Sequence, residues 1–118
     1  MKANRGDERD VLFRAYSDFN GRRMEAVLHR MHPDVEWANG MEGGHVTGMD
    51  AVRAYWTRQW AAIDPHVEPL EIVEDGAGRY VVRVHQVVRD LAGKLLLDTE
   101  VRHVYTMRDG LIARMDIE

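Results

Sequence analysis

After Pro65 the chain offers almost nothing but strand. Segments 67–74, 79–89, 95–107 and 111–117 are rich in Val, Ile, Leu and Tyr. Asp75-Gly76-Ala77-Gly78, Asp90-Leu91-Ala92-Gly93 and Arg108-Asp109-Gly110 separate them, and each reads as a turn. Three such turns predict four antiparallel strands in a meander, and a meander must bury one of its faces.

The residues before Pro65 supply the cover. Val11, Leu12, Ala15, Tyr16 and Phe19 recur at helical spacing between Glu8 and Phe19, and Asn20-Gly21 supplies a stop. A second helix is predicted from about Arg23 to Met31, with Met24, Val27, Leu28 and Met31 on one side, broken by His32-Pro33-Asp34. Val35-Glu36-Trp37 reads as a short strand. The glycines at 40, 43, 44 and 48 around His45-Val46-Thr47 predict an irregular turn and a second brief strand. A third helix should begin near Met49-Asp50 and run to about Ile63, with Val52, Tyr55, Trp56, Gln59, Trp60 and Ile63 on one broad face, ending at Asp64-Pro65. Helices first and a meander afterwards is the α+β pattern, here with three N-terminal helices over one face of a curved antiparallel sheet.

At 118 residues the chain fits one domain, 1–118, with one core. Sixteen Lys and Arg stand against 20 Asp and Glu, and no stretch gathers the basic residues, so a nucleic-acid footprint is not expected. The absence of cysteine removes disulfides, thiolate metal sites and cysteine nucleophiles. Met1 to Glu8 carries no apolar leader, and no apolar run approaches membrane-spanning length, so a cytoplasmic protein without membrane contact is the expectation.

Three stretches together resemble the nuclear transport factor 2-like superfamily, in its SnoaL-like and ketosteroid isomerase-like branch. Met31-His32-Pro33-Asp34-Val35-Glu36-Trp37 resembles the passage from second helix to first strand. Thr47-Gly48-Met49-Asp50-Ala51-Val52 resembles the start of the long third helix, and Val104-Tyr105-Thr106-Met107-Arg108-Asp109-Gly110-Leu111-Ile112 the last hairpin. The resemblance covers nearly the whole chain. It implies a cone-shaped, cystatin-like α+β roll enclosing a pocket for a small hydrophobic organic ligand, often in a homodimer, with no cofactor. It implies no particular reaction, because the fold serves isomerases, cyclases, hydrolases and non-catalytic binders.

The isomerase pattern is departed from at each catalytic position. The general base falls at Asn39, which cannot take a proton; the oxyanion tyrosine falls at Ala15 rather than Tyr16; and its partner acid falls near His103. Compared with limonene epoxide hydrolase-like members, Trp37-Ala38-Asn39 matches a water-holding pair in spacing, Arg83-Val84-His85 corresponds loosely to an Arg-x-Asp, and Asp116 lies near the second aspartate.

Among individual residues His103 leads, because it interrupts an apolar strand and imidazole can donate, accept or shuttle a proton near neutral pH. Its alternative is a satisfied core histidine. As an acid–base group it would work with Asn39, which would polarise a carbonyl or hold water. Trp37, Trp56, Trp60 and Tyr16 would line a pocket for a ring-containing ligand, with Met115 among the contacts, although core packing explains the aromatic residues as well. Alternation sets Arg83, His85 and Val87 against Val82, Val84, Gln86 and Val88, and both parities stay open: either Arg83 and His85 or Gln86 faces the pocket. His29, His32 and His45 lack metal-ligand spacing, so no metal is expected. Asp98 and Glu100 read as a solvated face with Arg102 as their ion-pair neighbour. The two functional readings are a SnoaL-like enzyme performing proton transfer, cyclisation or hydration on a hydrophobic carbonyl compound, and a non-catalytic ligand-binding or dimerisation domain.

Overall fold

The computed structural model describes residues 5–118; residues 1–4, part of the stretch searched for a leader, lie outside the described residues. Helix α1 (Arg5–Asn20), helix α2 (Met24–Leu28), strands β1 (Met31–Ala38) and β2 (His45–Thr47) and helix α3 (Met49–Ala62) come first. The strands β3 (Ile63–Glu74), β4 (Arg79–Asp90), β5 (Leu95–Arg108) and β6 (Leu111–Ile117) follow. They form one six-stranded sheet in the order β2-β1-β6-β5-β4-β3. The meander β3 to β6 is antiparallel throughout, whereas β1 joins β6 in parallel and β2 pairs back onto β1.

Long-range pairing moves two boundaries. The second helix ends at Leu28, and Met31 to Asp34 belong to β1 rather than to a helix and its break. Met31 is recruited because it pairs with Ile112 of β6, and Ile112 N–H donates to Arg30 C=O at 2.9 Å. Pro33 falls in the irregular stretch between the Met31 and Glu36 partners, where its missing N–H breaks no ladder. Similarly β3 begins at Ile63, directly after α3, so Asp64-Pro65 lies inside a strand. Pro65 is tolerated because β3 is an edge strand.

The helices lie against the inner face of the sheet. Leu12 and Tyr16 of α1, Val27 and Leu28 of α2, and Val52, Tyr55 and Trp56 of α3 pack with Val35, Tyr80, Val82, Val84, Tyr105, Ile112 and Met115. Two devices set the cover in place. The Asn20 amide donates to Val67 C=O (2.8 Å) and accepts from Val67 N–H (2.9 Å), so the end of α1 pairs with edge strand β3 as a neighbouring strand would. Gly48, at φ 89° and ψ 156°, is the N-cap of α3; its N–H donates to Val35 C=O at 2.8 Å, tying the helix start to β1. That conformation is open essentially to glycine alone. The Asp109-Gly110 turn has positive φ at both residues, the twist a two-residue hairpin requires. Among the described residues no helix is long and apolar enough to cross a membrane.

Candidate functional site

Strand alternation decides which side chains face the helices. On β4 the inner set is Tyr80, Val82, Val84, Gln86 and Val88, and the register places His103 and Val101 of β5 beside Val82 and Val84. On β6, Met115 lies opposite Tyr105. Between these strands and the helices remains a cavity with about 80 Å³ open to the centre of a water-sized molecule. One water needs ~10–15 Å³ by that measure, so the space holds several waters or one small ring.

The walls are mostly aromatic and aliphatic. Trp37 and Trp56 meet edge to face with centroids 5.4 Å apart, Phe19 meets Trp56 the same way at 5.4 Å, and Ala15, Val67 and Met115 complete apolar stretches of the lining. Such walls suit a flat ligand.

One polar chain crosses this apolar interior. The Tyr105 hydroxyl donates to the Tyr16 hydroxyl at 2.9 Å, and Tyr16 Oη lies 2.7 Å from His103 Nδ1. All three residues are buried, His103 to 7% exposure. Each hydroxyl has a single proton, which fixes the direction of the chain. If Nδ1 donated to Tyr16, either the Tyr16 proton or the Tyr105 proton would be left without a protein acceptor, at a cost of ~1–3 kcal/mol. The satisfied arrangement runs from Tyr105 to Tyr16 to His103 Nδ1. His103 then carries its proton on Nε2, which has no protein partner among the described residues and belongs to a cavity-lining side chain.

Burial acts on every member. It pulls the His103 imidazole down to about 4, so the ring is neutral at physiological pH. Burial, with Tyr105 adding to it, raises the Tyr16 hydroxyl well above its ordinary value, and burial likewise raises Tyr105. No link ionises near pH 7, and His103 offers the cavity an N–H donor rather than a lone pair. The general acid–base role expected from the sequence is therefore not what this geometry favours.

The structure brings together Tyr16, Trp37, Trp56, Gln86, His103 and Met115 and leaves out the other candidates. Asn39 is buried, but its side chain is consumed by the 39–44 turn. Oδ1 accepts from Met41 N–H (3.1 Å) and Glu42 N–H (2.8 Å), and Nδ2 donates to the Glu42 carboxylate (3.0 Å), so it neither polarises a carbonyl nor holds a water. Trp60 stacks on Trp56 at 5.8 Å beneath the Arg22 guanidinium and does not line the cavity. Arg83 and His85 occupy the outer sheet face, where Arg83 pairs with Glu100 (2.7 Å) and His85 with Asp98 (2.7 Å). Arg83 and His85, rather than Arg102, are thus the partners of these carboxylates. His45 pairs with Asp116, also away from the cavity. Among the described residues no cluster of three or more His, Asp or Glu is suited to a metal ion.

Tyr105, Tyr55 and Gln59 were missed as site residues. Tyr105 shares the parity of His103 two positions on, which was the available signal. The resemblance set the oxyanion tyrosine at Ala15, yet Tyr16 makes the hydrogen bond, with Ala15 beside it in the lining.

Comparison with known proteins places this geometry in a family context. The sequence profile of the SnoaL-like domain matches residues 12–115. TerC, crystallised with polyporic acid, is similar in structure with a TM-score of 0.84 and 29% identity, covering 95% of this chain and 90% of TerC. A nuclear transport factor 2-like protein of unknown function from Burkholderia pseudomallei gives a TM-score of 0.84 and 25% identity over 95% of this chain and 89% of its own. A candidate polyketide cyclase from Sinorhizobium meliloti, at 24% identity, TM-score 0.79 and coverage of 92% and 94%, shares the fold. No curated protein matches the chain significantly.

Proposed function

The chain belongs to the SnoaL-like family, and from that membership and its cavity we propose that it takes up a small aromatic carbonyl compound and polarises the carbonyl oxygen with neutral His103. The observation that carries this reading is the hydrogen-bonded chain from Tyr105 through Tyr16 to His103, which leaves the imidazole Nε2–H as a donor in a mostly apolar hollow. A neutral donor in a low-dielectric site is a strong partner for a carbonyl oxygen because water does not compete for it. The aromatic walls supply contact area for a ring, and the polyporic acid found with TerC supports an organic occupant for this kind of site.

The same geometry favours binding over proton transfer. No Asp or Glu lines the cavity, and both His103 nitrogens are committed, Nδ1 to Tyr16 and Nε2 to its own proton. The lining therefore presents no base to take a proton from a substrate.

Acetophenone is a suitable probe. It should raise the midpoint of thermal unfolding, and the carbonyl stretch of the bound ketone should fall below its value in an apolar solvent; the lowering should vanish in His103→Phe. Methyl protons of the bound ketone should exchange no faster in heavy water than those of the free ketone. An unshifted stretch in the wild-type complex would remove the polarising role, and rapid exchange would restore the enzymatic reading.

A further inference from the structure

Two glutamines in the cavity wall have polar atoms that the protein leaves without partners. On α3, Gln59 Nε2 donates to Tyr55 Oη at 3.3 Å, and Tyr55 Oη also accepts from Gly40 N–H at 3.1 Å, while Gln59 Oε1 is enclosed with no hydrogen-bond partner. Turning the amide over would let Oε1 accept the Tyr55 proton but would strand Nε2 instead. Either way one buried amide group is unsatisfied, which folded proteins avoid unless something else meets it. On β4, Gln86 is the one polar side chain in the inward stripe Val82, Val84, Gln86, Val88, and its amide makes no hydrogen bond among the described residues. At position 59 Leu or Met would pack without this cost. Both glutamines line the cavity that His103 lines, and the terminal torsion of a glutamine is soft enough to turn its amide toward a ligand.

We infer that Gln59 and Gln86 form a second polar anchor, selecting a neutral ligand that carries a hydroxyl in addition to the carbonyl held by His103. This rests on the reading of the pocket given above and narrows it to hydroxylated aromatic ketones. An amide both donates and accepts, and so does a hydroxyl, which can therefore use Oε1 of one glutamine and Nε2 of another. A carboxylate only accepts. It would also bring a charge into a lining that holds no Lys or Arg and a His that stays neutral, and an unpaired buried charge is costly.

The test is isothermal titration of the wild-type protein, Gln59→Met and Gln86→Met with acetophenone, para-hydroxyacetophenone and para-hydroxybenzoate, the variants being checked for native circular dichroism. In the wild type the hydroxyketone should bind roughly three- to tenfold tighter than acetophenone, the gain of one net hydrogen bond. The benzoate should bind more weakly than either ketone. In each variant the ratio of hydroxyketone to acetophenone affinity, measured on the same protein, should fall to about one. Equal wild-type affinities for the two ketones, a gain that survives both substitutions, or a benzoate that binds as well as the hydroxyketone would each overturn the inference. The wild-type comparison decides even where a variant fails to fold. If acetophenone binds with a lowered carbonyl stretch and the hydroxyl adds nothing, this inference alone falls; if neither ketone binds, the reading of the pocket falls with it.

Discussion

His103 is held neutral by its surroundings, and that carries a cost in acid. Its pKa of about 4 in the folded protein lies below the ordinary value of 6.5, which the unfolded chain regains. Above pH 6.5 both states are unprotonated at this residue and it contributes no pH dependence. As pH falls from 6.5 to about 4 the unfolded state binds a proton that the folded state refuses, so stability drops across that window and levels off below it. The full loss is on the order of 3 kcal/mol. His103→Gln keeps an acceptor for Tyr16 and a donor for the cavity while removing the titration. Urea unfolding at a series of pH values should therefore show the wild type losing more stability than His103→Gln between pH 6.5 and 4. Parallel curves for the two proteins would mean that the imidazole is not shielded from water. The same residue-scale logic explains Asn39: placed by the sequence at a position for chemistry, it is occupied by the backbone of its own turn.

Helix α3 carries Trp56, Tyr55 and Gln59 to the cavity, so the geometry of its first residue sets the site. Gly48 begins it in a backbone conformation that costs an L-residue ~1–3 kcal/mol, with space rather than a clash around the added methyl, since the nearest atom, Pro33 O, would lie 3.9 Å away. Gly48→Ala should thus lower stability by about 1–3 kcal/mol through backbone strain alone, read as a lower urea midpoint with an unchanged slope. An unchanged midpoint would show that the β2–α3 junction relaxes freely. At the opposite edge the Asn20 amide does for β3 what a seventh strand would, satisfying Val67 while the chain turns from α1 toward α2. The short helix α2 shows the limits of local periodicity: its pattern continues to Met31, but β6 claims Met31 for the sheet.

The molecule as a whole is a sheet curved around incompletely filled space. Ala15 is the small residue of α1 in that space, so the cavity can be filled from there. Ala15→Met should stabilise the protein by about 1–2 kcal/mol through buried apolar volume and abolish acetophenone uptake, as measured by urea unfolding and calorimetry. A large loss of stability would instead indicate an interior already packed solid, where added volume causes strain. The outer sheet face is of a different character, with a cross-strand Arg83–Glu100 ion pair and a His85–Asp98 hydrogen bond in solvent, each contributing little to stability.

The order and type of nearly every element were legible in the residues, because helical periodicity, strand composition and Asp-Gly turns act over a few positions and the chain obeys them. The hydrophobic interior was legible for the same reason, and so was the interruption of an apolar strand by His103, though not what that imidazole bonds to. What the sequence left open was parity: Arg83 with His85, or Gln86, could equally have faced inward, and only packing of the meander against α1 and α3 chose Gln86. Nor could local pattern reveal that Tyr16 and His103, 87 positions apart, share a hydrogen bond, or that Tyr105 fixes its direction. Those facts depend on which side chains are enclosed together without water, and that is settled only when helices and sheet have closed on one another.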